Sequence, residues 1–467
     1  MIAPLVGALS TGCASAITPP MVVMVSLDTV RADRLGAYGS TKGLTPNLDR
    51  FASEGVTFDD VYAQANETRY SHASLFTSRY PSELGTLDDD FSIPKTIPTL
   101  AGVLSAYGWQ TAGFVGGGHL AASYRVNAGF DVWDDAAEWG SLHDTIPRAL
   151  HWLDTQASDQ PTFLFVHGYD AHDRYLKPTP FGYALTTREQ SDVANRAIRV
   201  PGLTSMITAG RLPARQEDVE ALALAYPRFQ PALIAGIAHD IDVLTDADSA
   251  AIAGVYDGAV AYADAAFGVL MAGLDERGLL ENAWVIVLSD HGESLGDDGS
   301  FHHRFTLNDD TLHVPLLIRP RGGGDGGRHV AGLAELNDVL PTVLDLVGET
   351  KPAKIRGRSL AGSLAHPEGS TRLAAFSESA LRMVSARGMD TRVTATGLGE
   401  DNPAIADLIA ATPINGVTLV ATGAPEGAAA LKDALVAWRR ELRPAPSSDT
   451  PEAVEGSHKH GYWQVNP

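Results

Sequence analysis

Four apolar, β-branched runs constrain the fold: Met21–Leu27, Thr111–Val115, Thr162–Val166 and Trp284–Leu288. Each is short enough for a strand and apolar enough to be buried on both faces, the pattern of a central parallel sheet. Three of them run straight into polar clusters. Met21–Leu27 leads to Asp28, Thr162–Val166 to His167, Asp170 and His172, and Trp284–Leu288 to Asp290 and His291. Open α/β sheets bind ligands beyond the carboxyl ends of their strands. Three separate runs delivering such groups at the same end point to a single site.

Helical patterns lie between the strands. Thr45-Pro46-Asn47 is a turn and cap signal ahead of a helix over Leu48–Glu54. Ser249–Leu274 carries Ile252, Val255, Val260, Phe267 and Leu270 at helical spacing, and Ala428–Leu442 is a second long amphipathic pattern. Residues 174–248 read as an insertion at the rim of the site, placed to shape substrate choice. Gly322–Gly327 lacks the Lys-Ser/Thr ending of a phosphate-binding loop and reads as a surface loop. The expected division is a leader over 1–20, a catalytic region over 21–370, a smaller C-terminal region over 371–445 and a tail over 446–467. Pro444–Glu455, rich in Pro and Ser, is expected to be poorly ordered.

A chain of 467 residues, 44% of them hydrophobic, can bury one large α/β core and a smaller one. Its formal charge of −22 repels nucleic acid and anionic lipid surfaces, so nucleic acid is not an expected partner. The single cysteine, Cys13, excludes an internal disulfide framework. Residues 2–12 are small and apolar, and Leu9-Ser10-Thr11-Gly12-Cys13 is similar to a lipobox, although no Lys or Arg precedes it. The expectation is export, to the periplasm or to a membrane tether through lipid on Cys13. No later segment is expected to span a membrane.

Asp28, Asp290 and His291 offer two carboxylates and an imidazole at strand ends. With the Thr68 oxygen they make a four-point set for one divalent cation. Thr68 precedes Ser71–Phe76, which reads as a helix start whose amides and dipole favour an anion. A plain helix-capping threonine is the alternative reading there.

The stretch Asn66-Glu67-Thr68-Arg69-Tyr70-Ser71-His72-Ala73-Ser74-Leu75-Phe76-Thr77-Ser78-Arg79-Tyr80-Pro81 resembles the signature segment of the sulfatase family, within the alkaline phosphatase superfamily. In sulfatases a Cys or Ser opens that signature and is oxidised to formylglycine, whose hydrate attacks sulfur. Here Thr68 stands at that position and His72 at the following arginine. Threonine is not a formylglycine precursor, so the resemblance implies the threonine nucleophile of the phosphoesterase branches. Ser26–Asp33 and Ser289–Gly296 are similar to the family's metal-ligand stretches, with Thr29 where many sulfatases have a second Asp. The implied cation is Ca2+, Mn2+ or Zn2+.

Tyr169-Asp170-Ala171-His172 and Phe301-His302-His303-Arg304 are similar to family segments, which implies His303 or His172 as the acid for the leaving oxygen. His72 and His119, the latter in Gly116-Gly117-Gly118-His119-Leu120, are implied substrate contacts. Asp170 reads as a partner of His172 or a ligand for a second metal, with a single metal preferred. The implied fold is an α/β sandwich with a mixed, mostly parallel central sheet and a smaller α+β C-terminal subdomain. The expected activity is metal-dependent hydrolysis of a phosphate mono- or diester, or a phosphonate ester, of a small molecule, glycan or lipid headgroup. The alternatives are sulfate-ester hydrolysis without formylglycine, phosphoethanolamine-type transfer, and a lipid-anchored binding protein without catalysis.

Overall fold

The structure, a computed structural model, describes residues 19–85, 87, 91–156, 159–172, 175, 177–183, 187–188, 246–297, 301–304, 306–324, 326–365, 369, 372–380, 383–396, 418–422 and 425–442. Cys13, the Pro444–Glu455 stretch and most of the 174–248 insertion lie outside the described residues. In chain order the strands are β1 (Met21–Leu27), β2 (Val56–Tyr62), β3 (Gln110–Phe114), β4 (Val132–Asp134), β5 (Thr162–Gly168), β6 (Ala283–Leu288), β7 (Ser294–Leu295), β8 (Phe301–His302), β9 (Leu316–Arg319), β10 (Arg328–Glu335), β11 (Ala375–Ser379), β12 (Met383–Arg387), β13 (Arg392–Thr396) and β14 (Thr418–Thr422). The longer helices are α1 (Pro46–Ser53), α2 (Thr68–Thr77), α3 (Leu100–Ala106), α4 (Leu142–Thr155), α5 (Asp246–Glu276), α6 (Val339–Val347) and α7 (Pro425–Glu441).

Eight strands form the central sheet in the order β10-β2-β9-β6-β1-β5-β3-β4. β1 lies parallel between β5 and β6, and β9 is antiparallel to both of its neighbours, β2 and β6. The sheet is therefore mixed and mostly parallel. Because successive side chains of a strand point to opposite faces, each buried strand feeds two cores. Val22, Met24, Phe163, Phe165, Ile286 and Leu288 pack with α2, α3 and α6. Met21, Val23, Val25, Leu164, Val166, Val285 and Val287 pack with α1, α4 and α5. Phe165 is fully buried between Phe76 and Trp133, and truncating such a side chain to alanine costs about 3–5 kcal/mol.

A second sheet, β11-β12-β13-β14, is antiparallel throughout. Its Val384, Ala386, Val393 and Ala395 pack on Ala428, Leu431, Leu435 and Trp438 of α7. Arg372 ties this region to the central sheet, reaching Glu335 and Asp338.

The expectation that no later segment could cross a membrane is corrected. Ser249–Glu276, within α5, is long and apolar enough by length and composition. Its apolar residues serve another purpose here. Val255, Ala259, Val260, Ala263, Phe267 and Leu270 are buried against the sheet, and buried Asp264 on the same helix accepts from the amides of Asn47 and Leu48.

Candidate active site

The parallel register brings the strand ends level. Ser26 is paired with both His167 and Leu288, so the residues just beyond emerge together. Ligand atoms of Asp28, Asp290 and His291 all lie within 4.8 Å of one another. Asp290 Oδ1 accepts from the amides of Thr29 and His291 at 3.2 and 3.0 Å. Thr29 itself is held at φ 59, a rare conformation for a β-branched residue. Its hydroxyl turns back to the Asp28 carbonyl, which keeps its side chain out of the cluster. Gly292 lets the next turn press against the chain at Asp310, whose carbonyl oxygen would stand 2.1 Å from any Cβ there.

The cluster is buried and calls for positive charge. Asp28 and Asp290 are 1% and 0% exposed, and Asp28 Oδ1 and Asp290 Oδ2 have no hydrogen-bond partner among the described residues. Burial pushes the Asp28 carboxyl up to about 7. Burial, with the Asp28 charge beside it, also raises Asp290. Burial disfavours the His291 imidazolium, but Asp290 and Asp28 outweigh it and hold that pKa above its ordinary value. His291 Nδ1 lies 3.0 Å from the Gly292 carbonyl, which makes Nδ1 the donor and leaves Nε2 to face the carboxylates. Two orphaned carboxylate oxygens and an imidazole nitrogen within this span fit a divalent cation.

α2 aims its first turn at the cluster. Helix residues begin at Thr68, three earlier than the expected start at Ser71, and Glu67 rather than Thr68 is the cap. Thr68 Oγ1 donates to Asp28 Oδ2 at 3.2 Å and stands 3.3 Å from His291 Nε2. The helix is anchored there by Ser71, whose hydroxyl donates to the Asp290 carbonyl at 2.6 Å. His72 fastens it from behind. Its Nδ1 donates to the Thr68 carbonyl at 2.8 Å and its Nε2 accepts from Ser26 Oγ at 3.0 Å. Burial pushes its pKa down to about 4. His72 is thus a neutral strut between α2 and β1, with both ring nitrogens used inside the protein, where a substrate contact was expected.

The other expected histidines gather beside the cluster. His303 lies with its ring 4.4 Å from His291 and 5.1 Å from His172, centroid to centroid. Its Nδ1 is 3.0 Å from Glu293 Oε1. Burial, reinforced by His291, His302 and Arg304, holds His303 well below its ordinary pKa, and its Nδ1 donates to Glu293. His172 and His119 are likewise held low by burial. His119 lies farther out, beside Trp139. Asp170 Oδ2 accepts from the Leu142 amide at 2.7 Å and so anchors the start of α4.

Several neighbours carry no assignment from the sequence. His167 Nε2 lies 3.2 Å from Asp28 Oδ2, and its pKa is pushed down to about 4 by burial. Its place directly after an apolar run was the available signal. Arg69, buried beside Thr68, packs over the Tyr124 ring at 4.4 Å, and Arg304 pairs with Glu67 at 2.8 Å. An arginine adjoining the threonine could have been read as an anion partner. Glu293 and Trp139 gave no such signal, since their roles depend on loops that meet only in the fold.

Comparison with known proteins speaks to the family and the fold. The family model for Sulfatase matches residues 20–349. The ulvan-active sulfatase of Formosa agariphila is 28% identical over 370 residues, covering 75% of this chain and 66% of that protein, so the chain spans just under two thirds of that relative's length. The N-acetylglucosamine-6-O-sulfatase of Bacteroides thetaiotaomicron is 24% identical over 394 residues, 73% of this chain and 70% of that one. Among solved structures, the phosphonate monoester hydrolase of Silicibacter pomeroyi superposes with a TM-score of 0.64 at 19% identity, covering 91% of this chain and 96% of that one. By the match to its family model over most of its length, the chain belongs to the sulfatase family of hydrolases.

Proposed function

We propose that this protein hydrolyses phosphate or phosphonate esters with Thr68 as nucleophile. One observation carries the reading: the hydroxyl at the first turn of α2, within 3.2 Å of Asp28 and 3.3 Å of His291, belongs to a threonine. A threonine cannot supply the formylglycine hydrate, but it can form and release a phosphoryl ester.

A divalent cation held by Asp28, Asp290 and His291 would lower the pKa of the hydroxyl and offset charge on the transferred group. The chain's own residues do the rest. Asp28 Oδ2 orients the Thr68 hydroxyl by accepting its hydrogen. The amides at the start of α2 present the positive end of the helix to the ester's oxygens. A bond forms between Thr68 Oγ1 and phosphorus as the bond to the alcohol oxygen breaks, and the hydroxyl proton passes to Asp28 Oδ2, its hydrogen-bond acceptor. That oxygen takes a proton from His303 or His172, and the charge of a bound ester opposes the burial that keeps these rings neutral. Water then cleaves the Thr68–phosphorus bond, releasing the acid and restoring the hydroxyl.

Sulfate-ester hydrolysis is the second reading, and the names of the two curated relatives favour it. Export with a lipid tether at Cys13 remains part of the proposal, supported by the residues before it. Thr68→Ala tests the nucleophile. Turnover should fall by ~10³-fold or more with the fold retained, and acid quenching of the wild type should trap a phosphoryl group on the peptide holding Thr68. A variant of near-normal rate would remove the nucleophile from the account.

A further inference from the structure

Asp28 sits in a tight turn at the end of β1, closed by the Val30 amide donating to the Leu27 carbonyl at 3.3 Å. Thr29 occupies the third position of that turn at φ 59. Glycine or asparagine is the usual residue there, and a β-branched side chain is strained. Such strain persists only where the surroundings impose it. Here it has a use. The Thr29 amide is directed to Asp290 Oδ1 at 3.2 Å, which joins the turn carrying one carboxylate to the other carboxylate.

The imposing group is on α5. Tyr256 is fully buried, donates its hydroxyl to the Thr29 carbonyl at 2.7 Å and accepts from the Arg31 amide at 3.0 Å. One oxygen thus bridges the backbone on both sides of Val30. Tyr175 braces the Tyr256 ring edge-on at 5.4 Å. The next helix residue, Asp257, pairs with Arg34 at 3.1 Å, farther along the same segment. Arg31 extends the link by donating to the Glu293 carbonyl at 3.2 Å, two residues beyond His291. α5 supplies none of the three ligands, Asp28, Asp290 and His291, yet through Tyr256 it grips the backbone that connects them.

We propose that Tyr256 is a positioning residue for the cation site: its hydroxyl holds the Thr29 turn in the left-handed conformation and so sets the geometry of Asp28 and Asp290 in advance of the cation. The inference rests on the cation that the proposed reaction uses. Groups that orient metal ligands typically change metal affinity by about 10–100-fold when lost.

The test is calorimetric titration of Mn2+ into chelator-stripped protein, with unfolding temperatures measured on the same samples. Tyr256→Phe keeps the ring and removes only the hydroxyl, and it should raise the Kd for Mn2+ by about tenfold. Glycine takes a positive φ without steric cost, so in a Thr29→Gly background the same change should raise Kd by less than about threefold. A hydroxyl serving only the fold would lower the unfolding temperature and leave Kd unchanged. A wild-type Kd in Tyr256→Phe, or an equal loss in both backgrounds, would overturn the proposal. Deuterium exchange read by mass spectrometry needs no variant. Residues 28–34 of the stripped wild type should already exchange slowly, and protection that appears only with Mn2+ would overturn the proposal as well. A wild type that binds no Mn2+ would remove the cation reading and this proposal with it, whereas the other contrary results leave that reading intact.

Discussion

Glu293 Oε1 lies 3.0 Å from Nδ1 of His303, and both side chains are buried. The carboxylate fixes the tautomer, with the hydrogen on Nδ1. If His303 protonates the leaving oxygen, its loss matters most for poor leaving groups. His303→Gln should slow turnover of an unactivated phenyl ester by about 10²–10⁴-fold and a nitrophenyl ester far less. The readout is the dependence of rate on leaving-group acidity across substituted phenyl esters. An unchanged slope would assign the proton to His172.

Asp290 presents one oxygen to two backbone amides and leaves the other without a hydrogen bond. Asp290→Asn preserves the shape and removes the charge. Losing an outer partner of a metal ligand typically weakens binding 10–100-fold, so loss of the ligand itself should weaken it by about 100-fold or more. Elemental analysis after dialysis should show the metal depleted. Unchanged metal content would count against the site.

Arg372 pairs with Glu335 and Asp338 at 2.5 Å each, and Tyr80 donates to the same glutamate. Arg372→Met leaves two buried carboxyls without their cation and should cost about 3–5 kcal/mol of stability. Burial raises both pKa values even with Arg372 present. Carboxyls whose folded pKa exceeds the unfolded one bind more protons in the native state, so stability falls as pH rises from the unfolded value through the folded one. Without Arg372 both values rise further. The deficit of the variant should therefore be smaller at about pH 5 than at about pH 8 in urea unfolding. A deficit independent of pH would contradict this account.

What could be read in the sequence followed from burial. β1, β5 and β6 were legible because strands covered on both faces are almost continuous runs of apolar residues. The cluster of Asp28, Asp290 and His291 was legible because those runs end on them. α2 was misread at its start. All ten of its residues are buried, so no polar face marks its period, and its first turn, Thr68-Arg69-Tyr70, has no helical pattern of its own. The role of His72 was hidden for a related reason. Its position in the sequence cannot show that Ser26, on β1, meets its far nitrogen. Trp139 lies where Gly118 lets a separate loop approach its indole closely, and nothing local announces that.

The account turns on Thr68 serving phosphorus rather than sulfur chemistry. The most direct measurement is kcat/KM for bis-nitrophenyl phosphate, nitrophenyl phosphate and nitrophenyl sulfate, with and without chelator, on wild type and Thr68→Ala side by side. The account predicts chelator-sensitive turnover of the phosphate compounds above the sulfate, lost in the variant. Preferential turnover of the sulfate by the wild type would contradict it.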